Sequence, residues 1–135
     1  MQFQTLKGSK RKIKKPQRYI IDWKGKSRSK LQFRAKEAVF PYWRHDVVFE
    51  EFPVAGTRLT LDFYNATRKI AIEVQGTQHT KYNPFFHGKN RLNFIYQIEK
   101  DVMKADFCSL NGIVLVEIFE DTFDLEEMIE SILEA

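Results

Sequence analysis

Apolar side chains recur at two different periods along this chain, and each change of period marks an element. Over residues 30–42, Leu31, Ala35, Ala38 and Val39 return at helical spacing, with Ser29 placed to cap the first turn and Pro41 near the end. Three strand-like runs follow, 47–52, 58–64 and 69–75, separated by Pro53-Val54-Ala55-Gly56 and by Asn65-Ala66-Thr67-Arg68. They read as an antiparallel meander. Residues 76–89 contain Gly, Pro and Asn but no period, the pattern of a loop. A second helix is expected over 91–110, where Leu92, Ile95, Ile98, Val102 and Ala105 form one stripe and Asn111-Gly112 supplies a stop. The nearly continuous apolar run 113–119 predicts a buried strand, and 123–133 a last helix with Leu125, Met128, Ile129, Ile132 and Leu133 inward. The order helix, three strands, helix, strand, helix gives an α/β domain: a mixed sheet, antiparallel meander plus a later buried strand, flanked by helices. That frame leaves function open.

The front of the chain does not fit either period. Residues 1–18 carry little apolar content and the cluster Lys10, Arg11, Lys12, Lys14, Lys15 and Arg18; Tyr19–Trp23 suits a short strand or an anchoring apolar clip, and KGKSRSK is again basic. The expected division is a basic N-terminal arm at 1–29 and a folded domain at 30–135. Charge sharpens this division. Residues 1–36 hold thirteen Lys and Arg against the single acid Asp22, a net +12, while the remaining 99 hold nine against seventeen, a net −8. From Glu117 onward there are eight acids and no Lys or Arg. A polyanionic partner would therefore meet the front of the chain and be repelled by its end, although a solvated arm with no partner has the same composition. Cys108 is the only cysteine, which excludes an internal disulfide and a cysteine-based zinc cluster within one chain. Any metal must be held by oxygen or imidazole. No apolar run approaches the ~18 residues that cross a bilayer, and no apolar signal region follows the basic start, so an intracellular protein with no membrane partner is expected.

Candidate chemistry comes from two acids on neighbouring strands. Strand alternation places Leu59, Leu61 and Phe63 on one face and Thr60, Asp62 and Tyr64 on the other; Ile70, Ile72 and Val74 oppose Ala71, Glu73 and Gln75 in the same way. If residues 65–68 form a four-residue hairpin loop, Tyr64 lies opposite Lys69 and Thr60 opposite Glu73. Asp62 and Glu73 are then diagonal neighbours about 7–8 Å apart. Two carboxylates so placed, with one backbone carbonyl, suffice for a magnesium-type ion that keeps several waters. The same pair could equally be solvated or bridged to nearby cations.

The residues around this pair resemble a known superfamily. LDFYN, ten residues between the two acids, then IAIEVQGTQH is similar to the core of PD-(D/E)XK nucleases, and most of all to the branch containing the very-short-patch repair endonucleases and phage homing endonucleases. The similarity continues through Phe94, Gln97, Asp101, Lys104, Phe107 and Cys108 to Asn111–Ile118, covering about residues 58–119. It implies a restriction-endonuclease-like fold and hydrolysis of DNA phosphodiesters with Mg²⁺ or Mn²⁺. It further implies Asp62 and Glu73 as metal ligands with the Val74 carbonyl a third, and His79 as general base or phosphate-binding residue. Asp101 and Lys104 fall near the site or support it, and Glu37 sits where many members carry a helix acid. Two features depart from the pattern or leave it open. The Lys or Asp usual after Glu-X is replaced by Gln75, which can orient water or bind a phosphate oxygen but supplies no charge. The helix face Gln97-Asp101-Lys104-Cys108 also fits a plain polar face with an internal Asp101–Lys104 pair.

The expected protein is thus a metal-dependent endonuclease of a phage or mobile element, acting in the cytoplasm, for instance of an infected bacterium. Double-stranded DNA is its partner, with the arm tracking phosphates and Lys104 contributing from the helix. A structure-selective enzyme such as a junction resolvase shares this chemistry, and a DNA-binding module with a decayed site would keep the arm alone. Coordinated cutting of both strands would call for a homodimer.

Overall fold

The computed structural model describes residues 1–75, 91–119 and 125–134. It contains a two-stranded hairpin, β1 (Gln2–Gln4) and β2 (Lys10–Lys12), followed by a 3-10 turn at Pro16–Tyr19 and helix α1 (Lys30–Trp43). Strands β3 (Val48–Pro53), β4 (Thr60–Asn65) and β5 (Ile70–Gln75) lead to helix α2 (Arg91–Leu110), strand β6 (Val114–Phe119) and helix α3 (Leu125–Glu134). The main sheet runs β3-β4-β5-β6, antiparallel through the meander and parallel between β5 and β6. Among the described residues this is an α/β arrangement with a mixed four-stranded sheet and three α-helices. Ser29 caps α1 as expected, its hydroxyl accepting from the Gln32 N–H at 3.1 Å. Gly112, in the left-handed region at φ 66°, ends α2 and turns the chain into β6.

Two apolar clusters cover the sheet. One joins Phe49, Phe52, Leu61, Tyr64 and Ala71 to Phe107 and Cys108 of α2; the other joins Val48, Phe63, Ile70 and Ile72 to Ala35, Val39 and Trp43 of α1 and Met128 and Ile132 of α3. The clip expected at 19–23 is present. Ile21 is buried in the second cluster, and its N–H bonds the Val48 carbonyl at the open edge of β3.

Strand β6 is not the buried strand expected from its apolar run: Val114 and Glu117 are exposed, and within the strand Ile118 alone is buried. Three further expectations are corrected. The first concerns the arm, which is a hairpin packed on the domain. Phe3 is buried against Phe52, Tyr64 and Phe107, with Leu6, Ile13 and Tyr19 around the same cluster. Spaced apolar residues among many lysines were enough to seat it, because one buried Phe is worth about 1.5–3 kcal/mol. The second concerns register. Tyr64 pairs with Ala71 and Asn65 with Ile70, two residues away from the expected alignment, and Lys69 takes the left-handed conformation at φ 56°. The buried Asn65 side chain stabilises this turn by accepting from the Arg68 N–H. A shift of two keeps every residue on its face but brings Glu73 directly across from Asp62 instead of diagonal to it.

The third correction lies in β4 itself. Leu61 packs with Tyr64 in one cluster while Phe63 packs in the other, so the expected alternation of Leu59, Leu61 and Phe63 breaks at Asp62. Its neighbour on β3 explains the break. Glu51 stands at φ 53°, in the left-handed region, and the paired residues resume only at Glu50–Phe63 and Phe52–Leu61 on either side. The pleat is interrupted on both strands at the level of Asp62, turning Glu51 and Asp62 toward the loop before α1.

Candidate active site

Asp62 and Glu73 are both buried, and each binds the other's strand. The backbone ladder between β4 and β5 ends at Phe63–Ile72. Beyond it the Asp62 N–H donates to Glu73 Oε2 at 2.7 Å, and the Val74 N–H donates to Asp62 Oδ2 at 2.8 Å. Carboxylates therefore take the place of backbone carbonyls where the strands part. Because the N–H and C=O of a strand residue project to the same side, the Val74 carbonyl also faces this gap.

Burial is the main electrostatic fact. It raises the pKa of Asp62, opposed by the Val74 N–H and the Lys104 and Arg28 charges and reinforced by Glu51. Glu73 is pushed up to about 7, first by burial and then by the Asp62 charge, with Lys104 opposing. Burial and then the Glu73 charge push the Cys108 thiol up to about 12, which keeps it neutral and unreactive. Two desolvated carboxylates facing one another favour a cation between them.

Cations already approach from both sides. Lys104 of α2, largely buried, donates to Glu73 Oε1. Arg28, largely exposed, donates to Asp62 Oδ1 at 3.0 Å and lies 3.7 Å from Glu51 Oε2. Behind Arg28 a polar network fixes the kinked strand. Thr60 donates to Glu51 at 2.8 Å, and Gln32 of α1 donates to Glu50 at 2.8 Å and Glu51 at 3.2 Å. The fully buried Lys36 pairs with Glu50 at 2.8 Å. None of Arg28, Gln32, Lys36, Glu50 and Glu51 was singled out from the sequence. A signal existed, since Gln32 and Lys36 fall on the inward stripe of α1 between Ala35 and Val39, where a polar residue needs a buried partner.

The other expected site residues divide. Gln75 is buried at the end of β5, two residues beyond Glu73. Of the α2 face, Lys104 reaches Glu73 and is largely buried there, rather than standing on the surface as the expected DNA contact. Asp101 lies near Glu117 of β6, whose pKa is raised first by partial burial and then by Asp101. Gln97 keeps a buried Oε1 with no hydrogen-bond partner among the described residues. Glu37 is exposed on α1, while the inward stripe belongs to Gln32, Ala35, Lys36, Val39 and Trp43, so the structure does not bring Glu37 to the pair. Lys10, Arg11, Lys12, Lys14, Lys15 and Arg18 are all exposed along the hairpin and the 3-10 turn. His79 lies outside the described residues, as do Tyr82, Phe85 and Phe86.

The donor set suits a hydrated ion better than an all-protein cage. Among the described residues no group of three or more His, Cys, Asp or Glu side chains converges to hold a metal. Two carboxylates and a carbonyl leave several positions for water, as a magnesium-type ion tolerates and a structural zinc site does not. Among the described residues no helix is long and apolar enough to cross a membrane.

Comparison with known proteins finds similarity to viral sequences. It is 33% identical over 78 residues to "Uncharacterized protein 033L" of Invertebrate iridescent virus 3, covering 58% of this chain and 40% of that protein. It is 37% identical over 81 residues to "Uncharacterized protein 094L" of Frog virus 3, covering 60% of this chain and 52% of that protein. A third relative, "Uncharacterized protein 307L" of Invertebrate iridescent virus 6, is 37% identical over 60 residues, 44% of this chain and 30% of its own length. The matched region thus spans about a third to a half of these relatives. No family model matches the chain, and no solved structure does.

Proposed function

We propose that this chain is a metal-dependent DNA endonuclease of the PD-(D/E)XK class, with a restriction-endonuclease-like arrangement of its sheet and helices. The observation that carries the reading is the buried Asp62–Glu73 pair at the point where β4 and β5 part. Asp62, Glu73 and the Val74 carbonyl would hold Mg²⁺ or Mn²⁺. Such an ion, when bound, stabilises charge on the phosphate and sharpens a water nucleophile.

The protein's own groups do the rest. Lys104 offsets part of the Glu73 charge and fixes its carboxylate. Arg28 reaches Asp62 from an exposed loop, and its planar fork is suited to phosphate oxygens once it leaves the carboxylate. Gln75 contributes an amide that can orient water or a phosphate oxygen, without adding charge. The net +12 of the first 36 residues supplies affinity for double-stranded DNA. The viral sources of the relatives fit an enzyme acting on viral or mobile genomes, the setting of homing endonucleases.

The test is incubation of labelled duplex, branched and single-stranded DNA with and without Mg²⁺. Magnesium-dependent cleavage that chelation stops is the expected result, and nicked against linear plasmid reports whether one chain or a pair acts. Preference for branched DNA would redirect the reading to a junction resolvase. Binding of DNA with no cleavage of any substrate would overturn it in favour of a binding module.

A further inference from the structure

A hollow of about 650 Å³ opens beside the site, between the loop that follows Trp23 and the first turn of α1. Lys24, Lys26, Arg28, Lys30 and Arg34 line it, together with Phe33, and among the described residues no acid does. We propose that this hollow is a phosphate cradle that holds the DNA backbone next to the scissile bond. The proposal rests on the nuclease reading and adds to it a binding surface separate from the basic hairpin.

Three observations point this way. The cradle is continuous with the site, because Arg28 belongs to its wall and donates to Asp62 Oδ1 at 3.0 Å. A strand lying across these cations would therefore reach the carboxylates without leaving the surface. The loop is also held in place by buried groups. Lys36 Nζ donates to the Asp22 carbonyl at 3.0 Å and the Gly25 carbonyl at 3.1 Å, and Ser27 donates to Glu50 at 2.7 Å. Lys24 N–H bonds Asp22 Oδ1 at 3.1 Å, and a Cβ at Gly25 would stand 2.6 Å from Asp22 Oδ2, so the turn is built around that glycine. Asp22 and Glu50 are thereby engaged with the scaffold beneath a cationic rim.

The third observation is the helix beneath it. Fourteen residues of α1 start from Ser29 with no acid in the first turn, so the positive end of its dipole adds to the five side chains. A single α1 end would say little, but combined with a cation-lined hollow joined to Asp62 it selects an extended polyanion. Phosphates repeated along a nucleic-acid strand match five cations spread over one loop and one helical turn better than a single small anion does.

The test uses the full chain and a fluorescent DNA duplex in EDTA, so that binding is read without cleavage. Lys24, Lys26 and Lys30 are exposed, and the triple change to Ala should leave the melting temperature unmoved. The slope of log K against log salt should shrink by about 2–3 units, at roughly 0.9 per phosphate contact, and low-salt affinity should fall at least tenfold. The comparison is a triple Ala variant of Lys10, Lys12 and Lys14. An unchanged slope in the Lys24/Lys26/Lys30 variant, with the loss confined to the hairpin variant, would overturn the cradle while leaving the nuclease reading intact. Wild-type binding without magnesium-dependent cleavage, but with the slope loss in the cradle variant, would sink the nuclease reading and keep the cradle as a nucleic-acid site. Poly-glutamate competing as well as DNA of equal charge would assign the hollow to an acidic protein and overturn it.

Discussion

The two faces of the sheet meet at the carboxylate pair and treat it differently. On the α2 face Glu73 is held by Lys104, a largely buried cation on a twenty-residue helix that packs through Phe107 and Cys108 onto the sheet. On the α1 face Asp62 is held by Arg28, an exposed cation on a loop. One carboxylate is fixed by the core and the other is covered by something that can leave. The difference indicates the side of access, because displacing an exposed ion pair costs about 0–1 kcal/mol while disrupting a buried one costs several.

Breaking either support should separate the faces. Phe3→Ala removes the aromatic that the hairpin inserts under α2, and about 3–5 kcal/mol of stability should go with it in urea denaturation. Deletion of residues 1–18 would do at least the same, so charge substitutions test the hairpin's contribution to binding better than truncation does. Lys36→Met leaves the partly buried Glu50 beside Gln32 without its cation and should also cost about 3 kcal/mol, while loosening the loop that carries Arg28. Equal stability of Lys36→Met and wild type would show that the α1 face is not organised by this pair.

A smaller effect is expected from pH. The folded pKa of Glu73, about 7, lies above its ordinary value of 4.5, so the folded state binds this proton more tightly than the unfolded chain. Below pH 4.5 both states are protonated and the group contributes nothing. Between 4.5 and 7 the unfolded chain releases its proton first, so metal-free stability should fall as pH rises and the penalty should be complete above 7. Denaturation at pH 5 and pH 8 should show this slope in wild type and a flatter one in Glu73→Gln. Identical slopes would mean that Glu73 is not the group that titrates. Addition of Mn²⁺ at pH 8 should recover the loss, since ion binding requires the charged form.

The smallest effect belongs to Arg28. Arg28→Ala should change stability by no more than about 1 kcal/mol, because the guanidinium is exposed and screened. A loss as large as that of Lys36→Met would erase the distinction between the two faces.

Much of this was legible in the sequence, for a physical reason. The positions of α1, α2 and β4 to β6 follow from apolar period, and the face carrying Ala71 and Glu73 from simple alternation. The stripe read for α2, however, is exposed at Ile95, Ile98 and Val102, while Phe107 and Cys108 pack on the sheet. The hairpin was not legible, because Phe3, Leu6 and Ile13 are too widely spaced to show a period. The kink at Glu51 and Asp62 was hidden for a different reason. A left-handed residue is announced by Gly or Asn, and here it is a glutamate whose side chain is held by Gln32 and Thr60 from distant parts of the chain. The two-residue register shift likewise depends on Lys69 adopting a conformation its side chain does not advertise. Thus the closeness of Asp62 to Glu73 and the place of Lys104 near them could be anticipated, but not Arg28 or the register that sets the two acids directly across from each other.

On the proposed reading, Asp62 and Glu73 together would hold the ion that supports DNA cleavage. Single-turnover cleavage by wild type, Asp62→Asn and Glu73→Ala, with binding to the same duplex measured alongside, tests it most directly. Both variants should bind DNA as wild type does and lose at least about a hundredfold in cleavage rate in Mg²⁺, of the order expected when essential transition-state stabilisation is removed. Cleavage by Glu73→Ala at more than a few per cent of the wild-type rate would contradict the reading.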